Sequence, residues 1–337
     1  MPRGRLLLAL LCLAAALGCI DDPVSTGDYN LLEAELELVW NAFDQTYVNF
    51  PNTDVDWDQA YSQAKSDLDT VASVVGLAEV LWDMTAKLED PSVYMEYGPE
   101  LDGHPYEIEV EPNMDSSLAY EYYDELGVEW VEGQSWGHCL VADSIPLFVF
   151  PEWSGFSWGN FDDVLEPLMG CDGMILDIRV NTEPEGNLAM TGLIAKRFTD
   201  ILRPGYFRMW RNGPGREDFA EPSPYYLHPR EGYTGPVLLL VGQQSAGYSE
   251  RFASMMDVLP HVTLAGDTTR GFTDCSTVYY TGSGEVSVPD TAILRSDTTR
   301  IQNVGIPPDI YVHADSEDFA TGVDPVLEYA LDWAESR

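Results

Sequence analysis

Gly235-Pro-Val-Leu-Leu-Leu-Val-Gly-Gln-Gln-Ser-Ala-Gly-Tyr-Ser-Glu-Arg-Phe-Ala-Ser-Met-Met256, followed by Val262-Thr-Leu-Ala-Gly-Asp-Thr-Thr-Arg-Gly271, decides the fold. Val237 to Val241 is apolar without alternation, the pattern of a strand covered on both faces. A polar turn follows, then a helical pattern from Ala246 to Val258 and a second strand over Val262 to Ala265. A strand that turns sharply into a helix brings one side chain and several free N–H groups to a single point. α/β enzymes use such a turn for a nucleophile and an oxyanion site.

The same alternation extends upstream. Ile145 to Phe150 and Met174 to Ile178 read as strands, each followed by a helix, over Phe161 to Met169 and Leu188 to Phe198. Repeated β-α-β units imply parallel strands with right-handed crossovers. Downstream, short strands are expected at Thr277 to Tyr280, Glu285 to Val288 and Ala292 to Leu294, with a final helix at Pro325 to Ala334. Nearer the N-terminus, Leu32, Leu36, Leu38, Val39 and Phe43 recur on one helical face. Trp57 to Val71, with Asp56 as N-cap, and Val75 to Leu88 continue the helical period. Residues 93–143 show little regular pattern, apart from an expected edge strand beginning at Tyr106.

The 337 residues carry a formal net charge of −40, with 57 acidic against 17 basic side chains. Such a surface repels polyanions, which excludes nucleic acid as a partner. Arg3 and Arg5 precede an apolar run, Leu6 to Leu17, that is too short to span a bilayer. Ala16-Leu-Gly-Cys19 resembles the lipobox of bacterial lipoproteins, which implies cleavage before Cys19 and lipidation of its thiol. The expected organisation is a signal peptide (1–19), a tether (20–30), a helical subdomain (31–92), a connecting segment (93–143) and an α/β core (144–337). Cys139, Cys171 and Cys275 permit at most one disulfide. No cluster has metal-ligand spacing, and neither metal nor cofactor is expected. Asp267 and Asp274, near the second strand, read as solvated or capping side chains.

Four stretches together resemble the tail-specific (C-terminal processing) serine peptidases, in particular the tricorn-like and retinoid-binding-protein-like branch. They are Val39-Trp40 through Tyr47 with Val55-Asp-Trp-Asp58; Gly173-Met-Ile-Leu-Asp177-Ile-Arg179-Val-Asn181; the opening stretch with Glu250 and Gly266-Asp-Thr-Thr; and Val304-Gly-Ile-Pro-Pro-Asp309-Ile310. The resemblance implies a parallel or mixed sheet core of the crotonase-like ββα type with an N-terminal helical subdomain. The PDZ domain common in the family is expected to be absent, because only some fifty residues lie where it would be inserted.

Carried over residue by residue, the resemblance puts glycine, Gly247, at the nucleophile position. Ser92 stands where the histidine base would be, Phe272 where the lysine of the dyad branch would be, and Gln302 where the supporting glutamate would be. Base, orienter and nucleophile are useful only together. Ala246, Gly186, Arg179 and Asn181 mark the implied binding and oxyanion region. The leading expectation is an exported, lipid-anchored, catalytically impaired homologue that binds an extended peptide or protein partner. The alternative is an active serine peptidase in which a displaced Ser245 attacks and His104, in Leu101-Asp-Gly-His104, serves as base.

Overall fold

The computed structural model describes residues 26–337 except 72, 100, 109, 111–112, 156 and 182–187. Three helices open the chain: α1 (Thr26–Thr46), α2 (Trp57–Leu68) and α3 (Val74–Ala86). Helix α1 starts inside the expected tether, so residues 26–30 are helical. Asp56 caps α2 by accepting the Gln59 N–H at 2.9 Å.

The segment 93–143 contributes to two sheets. It holds β1 (Tyr94–Glu96), β2 (Asp102–Gly103), α4 (Ser116–Glu125), β3 (Glu129–Trp130) and β4 (Gly137–Val141). Of the edge strand expected from Tyr106, the described residues 106–108 and 110 are not in a strand and the rest lie outside the described residues; the nearby strand is Asp102–Gly103. Then come β5 (Ile145–Val149), α5 (Trp158–Leu165), β6 (Met174–Asp177), α6 (Leu188–Ala195), β7 (Arg203–Trp210) and β8 (Ser223–Leu227). The chain continues with β9 (Val237–Val241), α7 (Tyr248–Asp257), β10 (Val262–Gly266), β11 (Cys275–Tyr280) and β12 (Glu285–Leu294). It closes with β13 (Ile310–Tyr311), α8 (Ser316–Ala320) and α9 (Pro325–Glu335).

One sheet runs β13-β10-β9-β6-β5-β4-β3; its first five strands are parallel and its last two antiparallel. Its two faces are covered by different helices. Val237, Leu239 and Val241 pack with α5, α6 and α7, whereas Leu238 and Leu240 pack with α4 and α9. That explains the unbroken apolar run: both sides of β9 are interior. The second sheet, β2-β1-β12-β7-β8 with β11 also on β12, is antiparallel. Val286 and Val288 of β12 pack against α1–α3, and Ile293 of the same strand joins the central core. Strand β12 thus packs on both the helical subdomain and the central core. All three described cysteines are free thiols.

Candidate functional site

The turn between β9 and α7 ends on Gly247, with φ 57° and ψ −114°. That backbone is strained for any residue with a Cβ and is of the kind a nucleophile elbow imposes. The chain keeps the turn, and the residue at its apex, a glycine, has no side-chain oxygen. The Gly247 N–H donates to the Phe272 carbonyl at 2.6 Å, and its own carbonyl accepts the Thr273 hydroxyl at 3.0 Å.

Glu250, fully buried in the first turn of α7, holds the loop that follows β10. Its carboxylate accepts the Thr269 hydroxyl (2.6 Å), the Gly271 N–H (2.6 Å) and the Phe272 N–H (2.7 Å). Burial pushes this carboxyl up to about 7, against the pull of those hydrogen bonds. A Cβ on Gly305 would lie 2.1 Å from the Thr269 carbonyl, and Gly305 has φ 75°. Only glycine lets the Val304-to-Ile310 stretch close over this loop.

The far side of the loop is held by Gln302. Its Oε1 accepts from the Thr273 N–H at 3.0 Å, and its Nε2 donates to Ser92 Oγ at 2.7 Å and Asp90 Oδ1 at 3.0 Å. The mapped positions Gly247, Phe272, Gln302 and Ser92 are therefore brought together, joined through Thr273. None of the four carries an imidazole, ammonium or carboxylate. Towards Ser92 the Gln302 carboxamide presents its Nε2, a donor and not a base.

Beneath Ser92 and Gln302 lies a polar network that sequence reasoning missed. Asp90 Oδ2 accepts from the Tyr47 hydroxyl (2.8 Å) and from Asn49 Nδ2 (3.0 Å), which also donates to Asp274 Oδ2 (2.9 Å). Arg300 donates to Asn49 Oδ1 at 2.6 Å. Burial pushes the Asp274 carboxyl up to about 7; the Ile293 N–H and Asn49 pull it down, while the charge on Asp90 adds to the rise. The solvated or capping role expected for Asp274 is therefore corrected: it cross-links the helical subdomain and the core. Tyr47 ends the first of the four stretches singled out, and Asp90 lies two residues before Ser92.

The fallback pair is placed differently. Ser245 is fully buried; its hydroxyl donates to the Ile178 carbonyl at 3.2 Å and accepts the Gly242 N–H at 3.3 Å. His104 Nδ1 lies 2.9 Å from the Val93 carbonyl, and its ring meets Phe272 edge-on, centroids 5.7 Å apart. His104 thus reaches the neighbourhood of the loop, but no hydrogen bond joins it to Ser245 among the described residues. Ser249 Oγ accepts the Trp153 indole N–H at 2.9 Å.

In the implied oxyanion region, Ala246 is buried and its carbonyl accepts the Ser249 N–H. Arg179 has no free donor face, because its guanidinium is buried between Asp177 (2.8 Å) and Asp324 (2.9 Å). Its assignment to oxyanion binding is corrected to a structural ion triad. Asn181 is buried, and among the described residues its side-chain amide has no hydrogen-bond partner. Gly186 and Cys19 lie outside the described residues. Among the described residues no group of three His, Cys, Asp or Glu side chains could hold a metal ion.

A mixed sheet with a sharp strand-to-helix turn at the head of α7, joined to an antiparallel sheet and an N-terminal helical unit, defines an α/β fold with the layout of a nucleophile elbow. Residues 147–312 match the profile of peptidase family S41. A tricorn-like protease C-terminal subunit of Sulfurisphaera tokodaii is 28% identical over 220 residues. That match covers 64% of this chain, and the chain spans only 23% of the relative's length. A peptidase candidate from Parabacteroides merdae superposes with a TM-score of 0.79 at 24% identity, covering 90% of this chain and 96% of that one. The photosystem II D1 C-terminal processing protease superposes with a TM-score of 0.54 at 15% identity, covering 88% and 97%. The chain belongs to peptidase family S41.

Proposed function

We propose that this family S41 protein is exported, lipid-anchored at Cys19, and binds an extended peptide or protein partner without cleaving it. The observation that carries the reading is the hydrogen bond between Ser92 and Gln302 beside Gly247. The elbow's surroundings are assembled, yet nucleophile, base and orienter are replaced by side chains that cannot do their work. Export and anchoring rest on the apolar run before Cys19. Among the described residues no helix is long and apolar enough to cross a membrane.

A binding mode is available at β11. This strand pairs with β12 along one edge and, among the described strands, has no neighbour on the other. It starts just beyond Phe272, and its Val278 and Tyr280 are exposed. An extended peptide can add to such an edge through main-chain hydrogen bonds alone, with no catalytic group required.

The test is a titration of the mature protein with fluorescent acetyl-Val-Lys-Val-Thr-Lys-Val-amide. Its β-branched residues favour an extended chain, and its lysines suit an acidic surface. The expected result is saturable binding, with the peptide recovered intact by mass spectrometry after prolonged incubation. Absence of saturable binding, or recovery of fragments, would overturn the reading.

A further inference from the structure

Arg251, on α7, is 6% exposed, yet among the described residues it forms no ion pair with a carboxylate. Its Nη2 donates to the Thr273 carbonyl at 2.6 Å and to the Cys275 sulfur at 3.2 Å. The Tyr248 ring centroid lies 4.8 Å from the guanidinium carbon, and Nε has no partner among the described residues. A buried cation needs a counter-charge. Glu250, next in sequence, turns its carboxylate to Thr269, Gly271 and Phe272 instead. Burial pushes the Tyr206 hydroxyl up to about 12, although the charges of Arg251 and Arg208 pull it down, so Tyr206 stays neutral at pH 7. The group left to answer the cation is the Cys275 side chain, which is partly exposed and so open to small solutes.

A guanidinium donates more strongly to an anionic acceptor than to a neutral one, and cysteine acts as a nucleophile in its anionic form. We propose that Cys275 is an oxidation site for hydroperoxides, activated by Arg251. The thiolate sulfur attacks the terminal oxygen of the hydroperoxide; an S–O bond forms and the O–O bond breaks. Sulfur is oxidised to the sulfenic acid and the peroxide is reduced. The sulfenic acid then passes its proton to the departing oxygen, so the products are a sulfenate and water or an alcohol. The sulfenate keeps a negative charge beside Arg251, and its new oxygen adds an acceptor near a guanidinium whose Nε is unpartnered. Exchange with a disulfide would instead leave a neutral sulfur and no counter-charge. The inference stands without the peptide-binding reading.

The purified protein is treated with hydrogen peroxide and dimedone at pH 7, and each cysteine is followed by peptide mass spectrometry. Dimedone traps sulfenic acids, and Cys275 should gain the adduct at least about tenfold faster than Cys139 or Cys171. Cys139 is 7% exposed, and burial pushes its thiol up to about 11. Burial also raises the Cys171 thiol, which donates to the Gly173 carbonyl at 3.1 Å. Labelling of Cys275 no faster than of the other two would overturn the inference, and this comparison needs no variant. Arg251→Met should slow Cys275 about tenfold while Cys139 and Cys171 stay unlabelled, and Arg251→Lys, which keeps the charge, should stay within about threefold of wild type. An undiminished Cys275 rate in Arg251→Met, with Cys139 and Cys171 still unlabelled, would overturn the role of Arg251.

Discussion

Arg179→Met is expected to destabilise the protein by about 3–5 kcal/mol, enough to remove most of a marginal domain's stability. The guanidinium sits between two carboxylates, with Nη2 2.8 Å from Asp177 and Nη1 2.9 Å from Asp324. All three side chains are buried, and Asp177 also accepts the Tyr123 hydroxyl at 2.9 Å. Asp324 in turn caps α9, accepting the Leu327 N–H at 3.0 Å. Removing the cation leaves two carboxylates in the interior without compensation, and that loss, more than the attraction itself, sets the cost. Lysine should not substitute, since one ammonium cannot present the fork that serves both acids. Asp177→Asn and Asp324→Asn added to Arg179→Met should restore part of the loss. Urea unfolding of the purified protein measures the effect. A midpoint for Arg179→Met close to wild type would show that the triad is not what holds α9 to β6.

Thermal stability is expected to increase as pH falls from 8 to 5 at constant ionic strength. Glu250 and Asp274 are both pushed up to about 7 in the folded protein, from ordinary carboxylate values of 4.5 and 3.8. A carboxyl with a raised folded-state pKa favours folding most when protonated. That stabilisation is complete below the unfolded pKa and is lost as pH rises through 7. A tenfold change in proton affinity between the unfolded and folded chain corresponds to about 1.4 kcal/mol, so the two groups together can contribute a few kcal/mol across the window. His138 and His261 act in the opposite sense: burial lowers their pKa, so their contribution is lost as pH falls. Both imidazoles are only half-buried, and their effect should be the smaller. Scanning calorimetry from pH 8 to pH 5 should show a rise in Tm, reduced in Asp274→Asn. A steady fall over that range would contradict the assigned environments of the two carboxyls.

Some parts of this architecture are written locally and others are not. β9 and β6 are legible because strands covered on both faces are continuously apolar, and α2 and α7 because helical period and a turn signal coincide. β7 and β8 are not, since Pro204, Gly205 and Pro224 break the expected pattern where an antiparallel sheet tolerates them. β12 reads as two strands because Pro289 interrupts it; in the structure it is a single strand whose pairing with β11 is irregular opposite that proline. The site is legible only through motifs, because Ser92, Gly247 and Gln302 come from three separate parts of the chain. Long-range hydrogen bonds, such as those uniting Asn49, Asp90 and Asp274, leave no periodic trace. Arg179 shows the converse: a motif residue read for ligand chemistry proves to be an interior ion-pair partner.

The proposed loss of serine chemistry at the elbow of this S41 fold is tested most directly by intact-mass analysis of the purified mature protein. The protein is treated with an excess of a fluorophosphonate, which adds covalently to activated serines. No adduct is expected, because Gly247 offers no oxygen and the Ser245 hydroxyl is buried against the Ile178 carbonyl. A stoichiometric adduct that disappears in Ser245→Ala would show instead that the elbow still carries a working nucleophile.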